Sequence, residues 1–368
     1  MLRRDMIAGL AVAAGLGATA CSREQAQDEA AAKPKERFRW QMYTTWPRNF
    51  PGLGSGAARL AERIRTMSGG RLEIEVFGAG ERVPAMEVFD AVSRGSAQMG
   101  HGAAYYWKGK SRAAPFFTAL PFGMTANETN AWLHWGGGMA LWRELYADFN
   151  LVPFDAGNTG AQMGGWFRKR IDSVADLDGL RMRIPGLGGD VMSRLGVATV
   201  NIPGGELYQA LSSGAIDAAE WVGPYNDLAF GFHKIAPYYY YPGWQEPGAT
   251  LEAIVNKEAW ESLPPDLQAI VETACLSCSH TMMAEMNARN AEALRELKTE
   301  HGIEVLPFPD DVLRAMHAAA DDVVEALAAE EPFARRVWDA YRPFRDAMAE
   351  NTRIGIAAQL TARGVPPG

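Results

Sequence analysis

The sequence predicts an α/β protein built from two similar lobes, and three observations carry that expectation. Strand-like and helix-like segments alternate from Arg37 onward, the order that gives sheets of parallel strands covered by helices. The layout of "VFDAVSRGSAQMGHG" returns in "LYQALSSGAIDAAEW": a helix, a Ser-x-Gly stop and a short strand of small residues. A chain of 368 residues, 48% hydrophobic and 22% charged, has the length and composition of about two globular domains.

The first residues read as an address. "MLRRDMIAGLAVAAGLGATACS" pairs Arg3 and Arg4 ahead of an apolar run from Met6 to Ala20. That run is shorter than a transmembrane helix and ends in small residues, so it reads as an export signal of twin-arginine type. Ala18-Thr19-Ala20-Cys21 resembles a lipoprotein processing box with Cys21 lipidated; cleavage near Ala20 with an incidental Cys21 is the alternative. Residues 22–36 are charged and rich in Ala and Gln, the composition of a disordered tether. The mature protein is therefore expected in the periplasm, anchored at Cys21 or free.

In the first lobe, "FRWQMYTTW" and "RLEIEVFG" alternate as strands, with an amphipathic helix from Gly54 to Ser68 between them. "AMEVFDAVSRG" is a helix stopped by Gly95, and "SAQMGHG" a short strand. The second lobe reads "GLRMRIPG" as a strand, "GDVMSRLG" as a helix, "VATVNIP" as a strand, "ELYQALSSG" as a helix and "AIDAAEW" as a strand. After Pro264 come three long helical stretches: 265–300, 310–329 and 332–360. The expected organisation is a first lobe over 37–156, a second over 157–250, and a returning strand with brace helices over 251–331. The final segment, 332–368, carries a terminal helix whose Phe333, Val337, Trp338, Tyr341 and Phe344 make a sticky side.

Net charge −8 and pI 5.4 argue against a nucleic-acid or anionic-membrane surface. An acidic protein that takes an anion needs a local cationic pocket. Arg181 and Arg183 stand at the same parity of a strand that runs into "PGLGGD". A guanidinium at a strand end grips a carboxylate with a planar fork, and a following helix start adds N–H donors. Glu220 ends an apolar strand of small residues, so it is expected partly buried and in need of a cation. Trp221 beside it, with Tyr105, Tyr106, Trp107, Tyr238 to Tyr241 and Trp244 in two aromatic clusters, suits the walls of a small polar pocket. Ligands of open α/β sheets bind at carboxyl ends of strands, which places Glu220 and Trp221 at a cleft. Cys275 and Cys278, spaced i and i+3 in a helical stretch, read as a structural disulfide or as two small packing residues. The sequence contains no G-x-S-x-G, H-E-x-x-H or P-loop, and its six histidines lack ligand spacing. The pattern is that of a binder and not an enzyme.

These residues together resemble a known family. The export signal, two α/β lobes, "DLDGLRMRIPG" and "ELYQALSSGAIDAAEW" are similar to the solute-binding proteins of TRAP (tripartite ATP-independent periplasmic) transporters, over Phe38 to about Leu360. The resemblance implies a two-lobed periplasmic-binding-protein fold with parallel-type sheets, a hinge-spanning helix and a C-terminal helical extension. It implies partner permease subunits in the membrane, and Arg183 as the residue that pairs with the ligand carboxylate. "WPRNFPG", "YYWKGK", "AGNTGAQMGGWF", "AEWVGPYND" and "YYYYPGW" resemble the branch that binds 2-oxo or 2-hydroxy monocarboxylates with a metal ion. By that resemblance the ion's ligands are Gln162, Glu220, the backbone carbonyl of Trp221 and a residue of "GWQEPG", with Glu246 preferred over Gln245. Glu246 in the shell favours Ca²⁺ and Gln245 favours Na⁺, because the negative charge differs. Tyr105, Tyr106, Trp46 and Trp244 complete the expected ligand site. In some relatives the terminal helix exchanges between subunits, so a homodimer is one expected state and a monomer the other. Two alternatives remain open at this level: a TRAP binder of a sugar acid or dicarboxylate, and a metal-dependent periplasmic enzyme acting on a 2-oxoacid.

Overall fold

The structure, a computed structural model, describes residues 36–364. The expected signal at 1–21, Cys21, nearly all of the tether over 22–36 and the last four residues of the terminal segment lie outside the described residues.

Two sheets form. The first holds strands β1 (Phe38–Thr44), β2 (Leu72–Phe77), β3 (Met99–Gly102), β4 (Leu151–Asn158) and β10 (Thr250–Asn256), in the order β2-β1-β3-β10-β4. The second holds β5 (Gly165–Phe167), β6 (Arg181–Arg183), β7 (Ala198–Val200), β8 (Ala218–Ala219), β9 (Tyr238–Tyr241) and β11 (Glu304–Pro307), in the order β11-β9-β5-β8-β6-β7. The α/β class is borne out, with one amendment: both sheets are mixed. β1, β2 and β3 are parallel, but β10 runs antiparallel to β3 and β4, and β5 antiparallel to β8 and β9. The cause is connectivity. A parallel neighbour needs a crossover of a dozen or more residues. The chain instead passes directly from β4 to β5 and from β9 to β10 as it changes sheets, so these strands enter reversed.

The repeated layout is real at the backbone. Helices Val88–Ser93 and Leu207–Ser212 each end at a glycine with positive φ, Gly95 at +75° and Gly214 at +73°, and each leads into a short buried strand, β3 or β8. Only glycine adopts that turn without Cβ strain.

The helix Pro265–Thr299 packs on β4 and β10 of the first sheet and on the helix Pro224–Phe230 that follows β8. Its Met282 and Met286 lie so close to Gly56, Gly52 and Gly157 that a Cβ at any of these would fall within 3 Å of a methionine side chain. On the other side, Asn290 Oδ1 accepts from Tyr225 N at 2.9 Å, joining it to the helix Pro224–Phe230. Cys275 and Cys278 are free and buried on this helix, so the disulfide alternative falls and the packing alternative holds. Burial pushes both thiols up, Cys278 to about 11, which keeps them as inert S–H groups.

Helices Asp310–Glu330 and Pro332–Thr352 follow. The sticky side of the second is used within the chain: Trp338 and Tyr341 pack on Phe116, Tyr341 on Trp132, and the Tyr341 hydroxyl accepts from Met124 N. Beyond Thr352 the chain continues helically to Arg363 with Ile354, Ile356 and Leu360 exposed.

Candidate functional site

The pairing of β6 with β8 builds the centre of the site. Register sets Met182 against Ala218 and Arg183 against Ala219, so each arginine of β6 meets an acid that flanks the short strand β8. Arg181 forms a fork with Asp217 at the surface, where its side chain is 50% exposed. Arg183 meets Glu220 at 3.2 Å where the two are 1% and 0% exposed. One strand thus carries a solvated pair and a buried pair two residues apart.

Arg183 is held through two of its three nitrogens. Nε donates to the Ile202 carbonyl at 3.3 Å, and Nη1 donates to the carbonyl and carboxylate of Glu220, at 2.5 and 3.2 Å. Its guanidinium carbon lies 5.0 Å from the centre of the Trp221 ring. Nη2 is buried with no acceptor. Burial alone would weaken its charge, but the oxygens of Tyr106, Glu220, Tyr105 and Glu246 outweigh it and raise the pKa.

Acceptors without donors gather beside it. Glu220 Oε1, Gln162 Oε1 and Gln245 Oε1 are all buried and unpaired. Gln162 reaches its place from the loop after β4, its Nε2 donating to Thr159 Oγ1 at 3.1 Å and Glu246 Oε2 at 2.7 Å. Gln245 Nε2 donates to the Met163 carbonyl at 2.9 Å, which turns its oxygen the other way. A buried polar atom with no partner costs about 1–3 kcal/mol, so a guanidinium edge and three acceptors left open together mark a place built for something else.

The charges agree. Burial raises Glu220 well above the ordinary carboxylate range, with Glu246 adding to the rise and Arg183 opposing it. Burial likewise brings Glu246 to about 8, opposed by Arg183, Gln162 and Tyr105. Two buried carboxylates face one arginine, so the site lacks positive charge. Among the described residues no three His, Cys, Asp or Glu side chains converge as a metal cluster. A cation here would draw on amide and carbonyl oxygens beside the carboxylate, the donor set of Ca²⁺ or Na⁺ and not of a softer metal.

A small cavity between the sheets is lined by Trp46, Tyr105, Tyr106, Thr159, Gln162 and Trp221, closed by Leu53, Val222 and Leu251. Tyr105 and Tyr106 follow β3 and are held protonated by burial, the first well above its usual range and the second at about 12, so both remain donors. Trp46 Nε1 donates to His101 Nδ1 at 2.8 Å, which orients its ring against Tyr106 and Trp221. Of the residues expected from sequence, Arg183, Gln162, Glu220, Trp221, Glu246, Tyr105, Tyr106 and Trp46 therefore come together. Trp244 does not line this cavity; it stacks on Phe122 in the core, with centroids 5.7 Å apart. Thr159, Ile202 and Gln245 had no role or only second place in the sequence reading. Thr159 stands three residues before Gln162 in "AGNTGAQ", and no local pattern distinguishes it.

Two mixed α/β sheets with a buried arginine and open acceptors beside a small cavity are the features of a solute receptor. The chain belongs to the bacterial extracellular solute-binding protein family 7 (DctP), whose model matches residues 43–331. A monocarboxylate 2-oxoacid-binding periplasmic protein from Nostoc sp. strain PCC 7120 is 45% identical over 355 residues, 96% of each chain. A TRAP transporter solute-binding protein from Bordetella bronchiseptica RB50, seen as a dimer with calcium and picolinate in one site, superposes with a TM-score of 0.88 at 42% identity, covering 89% of this chain and 97% of that one. One from Pseudoalteromonas atlantica T6c, with sodium and pyruvate bound, gives 0.86 at 43% identity, covering 89% and 99%.

Proposed function

We propose that this protein is the extracytoplasmic receptor of a TRAP transporter, binding a small 2-oxo or 2-hydroxy monocarboxylate together with Ca²⁺ or Na⁺ and delivering it to membrane permease subunits. The observation that carries the reading is the opposition of one open guanidinium edge to three open acceptors. Arg183 Nη2 takes the ligand carboxylate. Glu220, Gln162 and the Trp221 carbonyl would hold the cation, whose positive charge would offset the buried carboxylates and the carboxylate of the ligand. The relatives' bound calcium, sodium and pyruvate support this assignment.

For the remaining ligand, Gln245 has the better geometry. Its Oε1 is unpaired, whereas Glu246 already accepts from Gln162. Glu246 then acts through Gln162 and Tyr105, and the shell carries one formal protein charge, which suits Na⁺ as well as Ca²⁺. The tight cavity, walled by Trp46, Tyr105, Tyr106 and Trp221 near a single arginine, favours a short monocarboxylate over a sugar acid or dicarboxylate. Binding without turnover belongs to the same reading, supported by a family and a curated relative that are both named as binding proteins. Export by the twin-arginine-like signal and anchoring at Cys21 belong to the same reading. So does a homodimer, supported by the exposed Ile354, Ile356 and Leu360 of the terminal segment and by the dimeric relative.

The test is calorimetric titration of refolded mature protein with pyruvate, longer 2-oxoacids and lactate, with Ca²⁺, with Na⁺, and with chelator in sodium-free buffer. One-site binding that vanishes without a cation is expected. Binding indifferent to cations, or none to any monocarboxylate, overturns the reading; catalytic consumption of pyruvate would replace it with the enzyme.

A further inference from the structure

We propose that Lys108 and Asp190 form a latch across the mouth of the cleft that sets how fast the captured solute leaves. The inference deepens the receptor reading above, and needs from it only that the two lobes close over a ligand.

Each half of the latch is chained to the site by a few residues. Lys108 follows the short helical turn Ala104–Trp107, two residues beyond Tyr106. Asp190 lies in the helix Gly186–Arg194, which begins three residues after Arg183. The Lys108 ammonium donates to Asp190 Oδ1 at 2.7 Å and to the Gly186 carbonyl at 3.0 Å. Among the described residues these are its only hydrogen-bond partners, and both lie on the opposite lobe. The neighbouring Lys110, by contrast, pairs with Asp90 within its own lobe. Lys108 therefore has an ion pair when the cleft is shut and water when it opens.

The backbones meet closely here. Gly186 has φ +62°, and a Cβ on it would sit 3.3 Å from Tyr105 Cβ. The contact thus presses directly on the tyrosine pair. Tyr105 and Tyr106 line both the inner cavity and an outer one of about 260 Å³ that also touches Lys108, Ile184, Thr199 and Asn201. The two rings form the wall between cavity and vestibule, and the latch stands on the outer side of that wall. A solute leaving past the tyrosines needs the lobes to part at this edge.

The pair is about three-quarters and two-thirds shielded, with side chains 26% and 34% exposed. Asp190 Oδ2 is buried without a donor, so removing Lys108 leaves the carboxylate unpaired in the closed form and favours opening. Closure does not rest on this pair alone. At another edge Asn226 Nδ2 donates to the Pro51 carbonyl at 2.8 Å, and Phe50 stacks on Phe230 at 4.3 Å. Loss of the latch should therefore quicken release without abolishing capture.

The experiment is stopped-flow release of pyruvate from protein loaded with pyruvate and Ca²⁺, for wild type, Lys108→Met, Asp190→Asn, the double variant and Lys108→Arg. The single variants should release about three- to ten-fold faster, the size of one partly shielded charge-assisted contact. The double variant should release no faster than either single one. Lys108→Arg should stay near wild type, and association rates should change less than about two-fold, since affinity differences within one interface fall mainly on release. Release at the wild-type rate in both folded single variants, or additive acceleration in the double, overturns the latch. If wild type itself binds no pyruvate with either cation, the oxoacid reading fails separately. The latch is then decided by distances between spin labels on exposed Glu87 and Gln209 in ligand-free protein. Lys108→Met must lower the closed fraction there, and an unchanged distribution refutes it.

Discussion

Replacing Arg183 by methionine is the sharpest test of the site. Methionine keeps an unbranched apolar stem and removes the guanidinium, together with its place over the Trp221 ring. The ligand loses its bond to Nη2, a charge-assisted contact worth about 1.5–3 kcal/mol. It loses more indirectly: Glu220, 3.2 Å from Nη1 and fully buried, is already pushed up by burial and held down in part by Arg183. Without the guanidinium it takes a proton more readily and holds a cation less well. Together these effects should weaken 2-oxoacid binding by about 3 kcal/mol or more, at least roughly 100-fold. The assay is calorimetry at one fixed Ca²⁺ concentration, with the melting curve of each variant confirming a folded protein. Arg183→Lys, which keeps the charge but not the planar fork, should fall between. Folded Arg183→Met protein that binds within about three-fold of wild type would refute the reasoning, because an unpartnered guanidinium edge would then have no role.

Other outcomes follow from the same geometry. Glu220→Gln removes the shell's carboxylate and should cost Ca²⁺ affinity at least about ten-fold more than Na⁺ affinity, read by titrating each ion at saturating pyruvate. Glu252 is buried against Trp107 Nε1 and Tyr146 OH and is raised to about 7 by burial. Its folded pKa lies above its unfolded one, so it contributes stability below about pH 4.5 that is lost as pH rises to about 7, roughly 3 kcal/mol in all. Glu252→Gln should flatten the fall in denaturant-measured stability across that window. Cys275 and Cys278 should resist a thiol reagent in native protein and react once it is unfolded. Asp217→Asn, at the solvated pair with Arg181, should shift stability by no more than about 1 kcal/mol and leave binding unchanged.

The elements legible in the chain were those whose signals are local. Alternation in "FRWQMYT" and "LEIEVF", Ser-x-Gly stops before β3 and β8, and the long helix from Pro265 all took the expected form. Strand direction was not legible for β5 and β10, because it depends on which sheet the chain enters next. The two arginines of β6 show the same limit. They share parity and residue type, yet register with β8 pairs one with half-buried Asp217 and the other with fully buried Glu220.

By itself the sequence determined the α/β class, and it pointed to Arg183 and Glu220, with Gln162, Tyr105, Tyr106, Trp46 and Trp221, as the residues of a proposed site. The class follows from periodicity and motif order, which are written along the chain, and Gln162 and Trp46 from the family likeness alone. Only the tertiary structure decided that Trp244 belongs to the core, that Gln245 and not Glu246 carries the open acceptor, and that Lys108 reaches across to Asp190. Each of those depends on which atoms remain unpaired once two distant segments have met, and no single segment holds that information.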